Sequence, residues 1–239
     1  ESLLTKLNQM CADERDEVAE SACEALWTIL YVPLAAEKFY VPLGNNPMGA
    51  NTVKGVNNDS CARAQLTLTE MSPALAQYYN SVMNTYLMVA ESTFSRDVAI
   101  MCLTKIIDIF TLLGRVAMVP CGQQLSELLV KILTQNIQSQ KVNGGEDPDE
   151  IHEAEGNLLT TASDIIFMMF NVFGNTMNNY FIQIFQILSK IIQKRNNSIT
   201  KETAVGIIAE FFKYTDMCPE PIIDSALALL LNCIQHRNE

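Results

Sequence analysis

The stretch IIFMMFNVFGNTMNNYFIQIFQILS, Ile165 to Ser189, contains no Asp, Glu, Lys or Arg. No other feature constrains the fold as tightly, because a charge-free run has to be removed from water, either by a bilayer or by protein. A membrane helix needs about 20 mainly apolar residues in succession. Here an apolar block from Ile165 to Phe173 is followed by GNTMNN, and a second block runs from Tyr180 to Leu188. A span would strand Gly174, Asn175, Asn178 and Asn179 near the bilayer centre, where hydrocarbon cannot satisfy their polar groups. Gly after a helical run, followed by Asn and Thr, instead signals a helix stop and a new N-cap. The run reads as two buried helices joined by a turn, and no membrane insertion is expected.

The same reading resolves most of the chain into helices, with no strand-type alternation over any useful length. The end of a helix is expected over 2–10, and helices over 16–32, 72–90, 95–114, 120–140, 155–174, 175–193, 199–215 and 219–237. Most open on Ser, Asp, Asn or Pro, which cap or start helices. A long irregular connection is expected over 33–71 and an acidic loop over 141–156. At 239 residues and 49% hydrophobic, the chain has ample material for a core.

The helices alternate between two kinds. One is short of charge in its middle; the other follows a polar turn and places a small residue about one turn in. Those small residues are Ala22, Cys102, Ala162 and Gly206 or its neighbour Ala204, and the turns are ADERDE, ESTFSRD and KRNNSITKE. Helix, tight turn, helix, then a connection to the next pair is the grammar of an α-solenoid. The pitch from the third pair to the fourth is about 45 residues, in the range of HEAT repeats. The expected fold is all-α, a single HEAT-repeat solenoid over 1–239 with roughly four and a half helix pairs, cut from a longer chain. A plain α-helical bundle would satisfy the same amphipathic pattern.

Charge and motifs exclude several functions. A net charge of −11 lacks the basic footprint that nucleic acid requires. Seven scattered Cys, without a CxxC pair, read as reduced and mostly buried small hydrophobes. The two His, His152 and His236, stand near no nucleophile motif, and GxSxG, HExxH and phosphate-cradling Gly loops are absent. EDPDEIHEAE repeats acids like a calcium loop but lacks the central Gly and is interrupted by Pro148. No enzyme activity, metal or cofactor is expected. The cluster Phe167, Met168, Met169, Phe170 and Phe173 reads as core, and so does Trp27 among Leu26, Ile29 and Leu30.

The runs EIHEAEGNLLTTASDIIFMMFNVFG, YFIQIFQILSKIIQKRN and ITKETAVGIIAEFFKYTDMCPEPI together resemble the importin beta (karyopherin beta) nuclear transport receptors, in particular the importin five branch. That branch carries an acidic insertion leading into a helix with LTxxSDI, matched by Leu159, Thr160, Ser163, Asp164 and Ile165. The segments DEVAESACEALWTIL and SRDVAIMCLTKIIDIFTLLG fall upstream in the matching order. The 33–71 connection is longer than the family's, and the acidic loop is shorter and less acidic. The resemblance implies a non-enzymatic receptor that shuttles between cytoplasm and nucleus, takes up basic protein cargo and is released by Ran bound to GTP. It also implies that Phe-Gly repeats of nucleoporins enter apolar grooves between first helices on the convex face. A HEAT or armadillo scaffold unrelated to transport is the alternative, and an unrecognised all-α enzyme a third.

The second helix of each pair lines the concave face in such solenoids. The polar stripes there are Glu17, Glu20 and Glu24 on the first, and Asp97, Thr104 and Asp108 on the second. Asn157, Thr161 and Asp164 follow on the third, and Glu202 and Glu210 on the fourth. These spacings keep each set on one helical face. The acidic members, Glu17, Glu20, Glu24, Asp97, Asp108, Asp164, Glu202 and Glu210, are the expected contacts for Lys- and Arg-rich cargo, which an acidic face attracts and steers.

Overall fold

The computed structural model describes residues 2–36, 73–141, 148–193, 198–216 and 218–235. Among these residues the chain is almost entirely helical, with no strand. The helices are α1 (Leu3–Met10), α2 (Asp16–Ala36), α3 (Pro73–Ser92), α4 (Arg96–Leu113), α5 (Arg115–Leu133), α6 (Pro148–Phe173), α7 (Asn178–Gln193), α8 (Ser198–Tyr214) and α9 (Glu220–Gln235), with short 3-10 turns at Gln138–Gln140 and Gly174–Met177. The chain divides into two compact units, the first comprising Glu1–Leu128 and Ile137–Gly145, the second Leu129–Asn136 and Glu146–Glu239.

In the first unit α1 packs on α2, α3 packs on α4, and α2 also meets α3 and α4. Sequence explains each helix locally. Ser2 Oγ accepts from the Thr5 N–H to cap α1, and Ser95 Oγ accepts from the Val98 N–H to cap α4. The inward face of α2 is Ala19, Ala22, Cys23, Leu26 and Leu30, a helical stripe in which no residue exceeds 2% exposure. On α4 the stripe is Val98, Ala99, Cys102, Leu103, Ile106, Ile109, Phe110 and Leu113. The small residues Ala22 and Cys102 let the two helices approach closely where they meet. Two tyrosines of α3 close the core. The Tyr86 hydroxyl donates to the Cys23 carbonyl at 2.8 Å, and the Tyr79 hydroxyl donates to the Ala117 carbonyl at 2.7 Å. Each brings a ring to the interior and resolves its polar end on main chain.

The second unit is built around α6, α7 and α8. Here α6 packs on α8, α7 packs on α8, and α9 lies against α7. Leu158, Leu159, Ala162, Ile165, Ile166, Met169 and Phe170 form the buried stripe of α6, and Phe181, Ile184, Phe185, Leu188 and Ile192 that of α7. Ala204, Ile207, Ile208 and Phe211 complete the core from α8. The rings of Phe181 and Phe211 stack at 3.6 Å with planes 6° apart, and Phe170 meets both edge-on. Gly156 allows close packing, since a Cβ there would meet Ile199 Cγ2 at 3.0 Å.

The charge-free run is thus divided as expected, into the end of α6, a turn and most of α7. Gly174 supplies the break with φ +50°, a conformation that L side chains avoid. Thr176 and Asn175 hold the turn: Thr176 Oγ1 donates to the Phe173 carbonyl, and Asn175 Oδ1 accepts from the Asp216 N–H at 3.0 Å. Ile151–Gln193 does contain an eighteen-residue window apolar enough in composition for a membrane span, and half of that window is buried inside the protein. Of the Phe and Met cluster, Met169 and Phe170 are core; Phe167, Met168 and Phe173 are half-buried, as is Trp27.

Four boundaries differ from the sequence expectation. The acidic segment 141–156 is not a loop throughout, because α6 begins at Pro148. Proline does not interrupt that segment; it opens the helix at a position whose N–H has no helical partner in any case. α2 takes in the first residues of the 33–71 connection, and the rest of that connection lies outside the described residues. α5 begins before Pro120, at Arg115, directly after Gly114 has turned the chain with φ 60°. It also ends at Leu133 and not at 140. The Asn136 N–H bonds the Lys131 carbonyl at 2.8 Å and the Gln135 N–H bonds the Ile132 carbonyl at 3.0 Å. This is a Schellman ending with Gln135 in the left-handed position, φ 56°, where glycine is usual.

Candidate functional site

The first unit brings α2 and α4 together with their polar stripes on the same side. Between them lies a groove of about 340 Å³, lined by Glu20, Glu24, Asp97, Ile100, Met101, Thr104 and Lys105. Helical phase produces it. Cys23 and Ala19 turn inward on α2 and leave Glu20 and Glu24 outward; Cys102 and Leu103 turn inward on α4 and leave Asp97, Met101 and Lys105 on the rim. Three expected residues, Glu20, Glu24 and Asp97, therefore share one groove. Thr104 also lines it, but its hydroxyl already donates to the Ile100 carbonyl at 2.8 Å. Glu17 is exposed in the first turn of α2 and is not part of the lining.

Lys105 was not among the expected residues, and it changes the electrostatics. Its ammonium contacts Glu24 Oε2 and reaches Asp108 Oδ2 at 3.7 Å, with the side chain only 13% exposed. Glu20, Glu24 and Asp97 line the groove with Lys105 as its one basic lining residue, and Lys105 is drawn to Glu24 and Asp108. Burial pushes the Asp108 carboxyl above its ordinary pKa; Lys105 opposes the shift and Glu24 adds to it. The i,i+3 spacing of Lys105 and Asp108 was a legible signal for that pair. The contact of Lys105 with Glu24 was not, because it joins two helices.

The groove has a simple chemistry. Ile100 and Met101 offer an apolar strip, while Glu20 and Asp97 offer oxygens at its edge. That combination fits a long cationic side chain, whose methylene stem lies on apolar surface while its head reaches a carboxylate. Lys105 itself adopts this arrangement. The groove holds no His and no Cys, and among the described residues no group of three or more His, Cys, Asp or Glu is placed to hold a metal ion. His152 is exposed on α6, and His236 lies outside the described residues.

In the second unit the expected residues are more dispersed. Asp164 and Asn157 are exposed on α6, and the Thr161 hydroxyl donates to the Asn157 carbonyl at 2.9 Å. Partial burial raises the Asp164 carboxyl above its usual pKa. Glu202 is exposed on α8, whereas Glu210 is engaged by Lys213 one turn later, at 2.8 Å. The buried acid of this unit, Glu155, accepts from Gln135 Nε2 at 3.3 Å. It lies where the expected acidic loop, 141–156, overlaps the expected helix, 155–174.

No protein-family model matches the chain, and no curated protein matches it.

Proposed function

We propose that this chain is part of an α-solenoid of HEAT type that works as a non-enzymatic receptor for basic protein segments, in the manner of the importin beta nuclear transport receptors. The observation that carries the reading is the α2/α4 groove, where Glu20, Glu24 and Asp97 converge over an apolar strip. Consecutive helices pack as pairs (α1 on α2, α3 on α4, α7 on α8), and alternate helices also meet (α2 with α4, α6 with α8). Both patterns support a repeat grammar. On this reading the protein shuttles between cytoplasm and nucleus, Ran bound to GTP competes with cargo, and Phe-Gly nucleoporins bind elsewhere on the solenoid.

A fluorescent Lys/Arg-rich peptide, followed by anisotropy at low and at physiological salt, tests the groove. Binding that weakens with salt and falls at least tenfold in the triple variant Glu20→Gln, Glu24→Gln, Asp97→Asn supports the reading. Unchanged affinity in that variant removes the groove from it. Pull-down with Ran loaded with GTP tests the transport part separately. A HEAT or armadillo scaffold is the second reading. It is favoured by the way Lys105 already engages Glu24 at the groove, and Lys213 engages Glu210 in the second unit.

A further inference from the structure

Cys11, Cys23 and Cys102 come from three different helical segments and meet in the core of the first unit, each with 0% exposure. Cys11 closes the C-terminus of α1, Cys23 lies in the inward stripe of α2 and Cys102 in that of α4. Cys23 Sγ and Cys102 Sγ are 3.7 Å apart across the α2–α4 contact, although 79 residues separate them in sequence. All three are free thiols. Cys121, by contrast, is buried alone on α5, where its thiol lies 3.3 Å from the Ala117 carbonyl.

The pair also lies directly beneath the groove. Glu24 and Met101, the chain neighbours of Cys23 and Cys102, line it, and so does Lys105. The charge of Lys105 acts on Cys23. We propose that Cys23 and Cys102 form a peroxide-sensitive dithiol whose oxidation locks α2 to α4 beneath the groove.

The chemistry balances with a hydroperoxide as the oxidant. The Cys23 thiolate attacks one peroxide oxygen, the O–O bond breaks, and Cys23 becomes a sulfenic acid while the other oxygen leaves as hydroxide or alkoxide. The Cys102 sulfur then attacks the Cys23 sulfur. The S–OH bond breaks, water departs with the Cys102 proton, and the disulfide forms. Either sulfur can donate across the 3.7 Å contact. The neighbouring Cys102 and Cys11 thiols, and then the charge of Lys105, lower the Cys23 pKa against the opposing pull of burial and Glu24, so Cys23 is assigned the attack. The contact with Cys23, and then burial, raise the Cys102 pKa and hold it protonated until it attacks. Separation of the sulfurs must shrink to the roughly 2.05 Å of a disulfide, a movement that side-chain rotation of neighbouring helices can provide. Reduction by a small thiol reverses the step.

The test uses the whole chain, exposed to graded hydrogen peroxide under native conditions, then alkylated, digested without reductant and read by mass spectrometry. A Cys23–Cys102 linked peptide, absent from untreated protein and removed by dithiothreitol, is the expected result. The link disappears in Cys23→Ser and in Cys102→Ser, while Cys121→Ser retains it; circular dichroism checks that each variant keeps its helix content. Recovery of Cys23 and Cys102 fully alkylatable after peroxide, with oxidation confined to the partly exposed Cys218 and Cys233, overturns the proposal. So does a Cys11–Cys23 link formed in its place, or a Cys23–Cys102 link that forms only in denaturant.

Discussion

The two units are made from the same kind of amphipathic helix, yet their cores are joined by different means. In the first unit the junction of α2, α3 and α4 combines thiols with Tyr79 and Tyr86, and each hydroxyl donates to a main-chain carbonyl of another helix. In the second, Phe170, Phe181 and Phe211 meet as rings, with no polar group involved. Ring packing has weak angular requirements and scales with buried area. A buried hydroxyl has one good partner, so it fixes register between helices as well as adding stability. The first unit is accordingly specified in more detail around the groove, and the second relies on volume.

Substitutions can break this contrast, beginning with the largest expected effect. Phe181→Ala removes a ring that stacks on Phe211 and meets Phe170 and Phe185. A loss of about 3–5 kcal/mol is expected in urea unfolding. A loss below about 1 kcal/mol would mean the ring cluster collapses to fill its own cavity. Tyr86→Phe keeps the ring of the first unit and removes only the bond to the Cys23 carbonyl, so a loss of about 0.5–1.5 kcal/mol is expected. Hydrogen exchange around Cys23 and Leu26 should accelerate as well, and a purely hydrophobic role for Tyr86 predicts no such change.

Gln135→Gly sharpens the same comparison on the backbone. Relief of the left-handed strain should stabilise the second unit by about 0.5–1 kcal/mol. Loss of the contact with Glu155 opposes that gain. Thermal melting of Gln135→Gly beside Glu155→Gln reads which effect wins. A gain in the former beside a loss in the latter places the strain above the hydrogen bond.

The smallest effect concerns pH. Asp108 and Asp164 both have folded pKa values raised chiefly by burial. A raised carboxylate means that the folded state holds its proton more tightly than the unfolded chain. Their penalty is therefore complete above the folded pKa, shrinks as pH falls through it, and is gone below the unfolded value. Asp164→Asn should flatten that part of the stability–pH curve more than Asp108→Asn, because Lys105 already offsets the shift at Asp108. Equal flattening by the two variants would show that Lys105 contributes nothing there.

Much of this architecture was legible before any coordinate. Ser95 announced a helix start, and Gly174 announced the break in the charge-free run, whereas 2–10 was read as the end of a helix and Ser2 in fact caps its start. Leu26, Leu30, Met169 and Phe170 were legible as core because helical period and desolvation act within one segment, whereas Trp27, Phe167, Met168 and Phe173 from the same readings are only half-buried. Glu20, Glu24 and Asp97 were legible as faces of their own helices for the same reason. The stop after Leu133 was not, since Gln135 adopts a conformation that sequence assigns to glycine. Pro148 was read as an interruption because a helix start and a loop proline look alike without the chain that follows in space.

Periodicity, caps and charge alone pointed to a helical chain with acidic outward faces and a break in the charge-free run at Gly174. Tertiary structure alone decided which faces meet. It placed Lys105 of α4 against Glu24 of α2, so the groove is less acidic than its stripes suggested. It also set Cys23 beside Cys102 and put Glu155 out of water next to Gln135. Each of these depends on the approach of segments distant in sequence, and that approach is set by how apolar stripes pack and not by the pattern within any single helix.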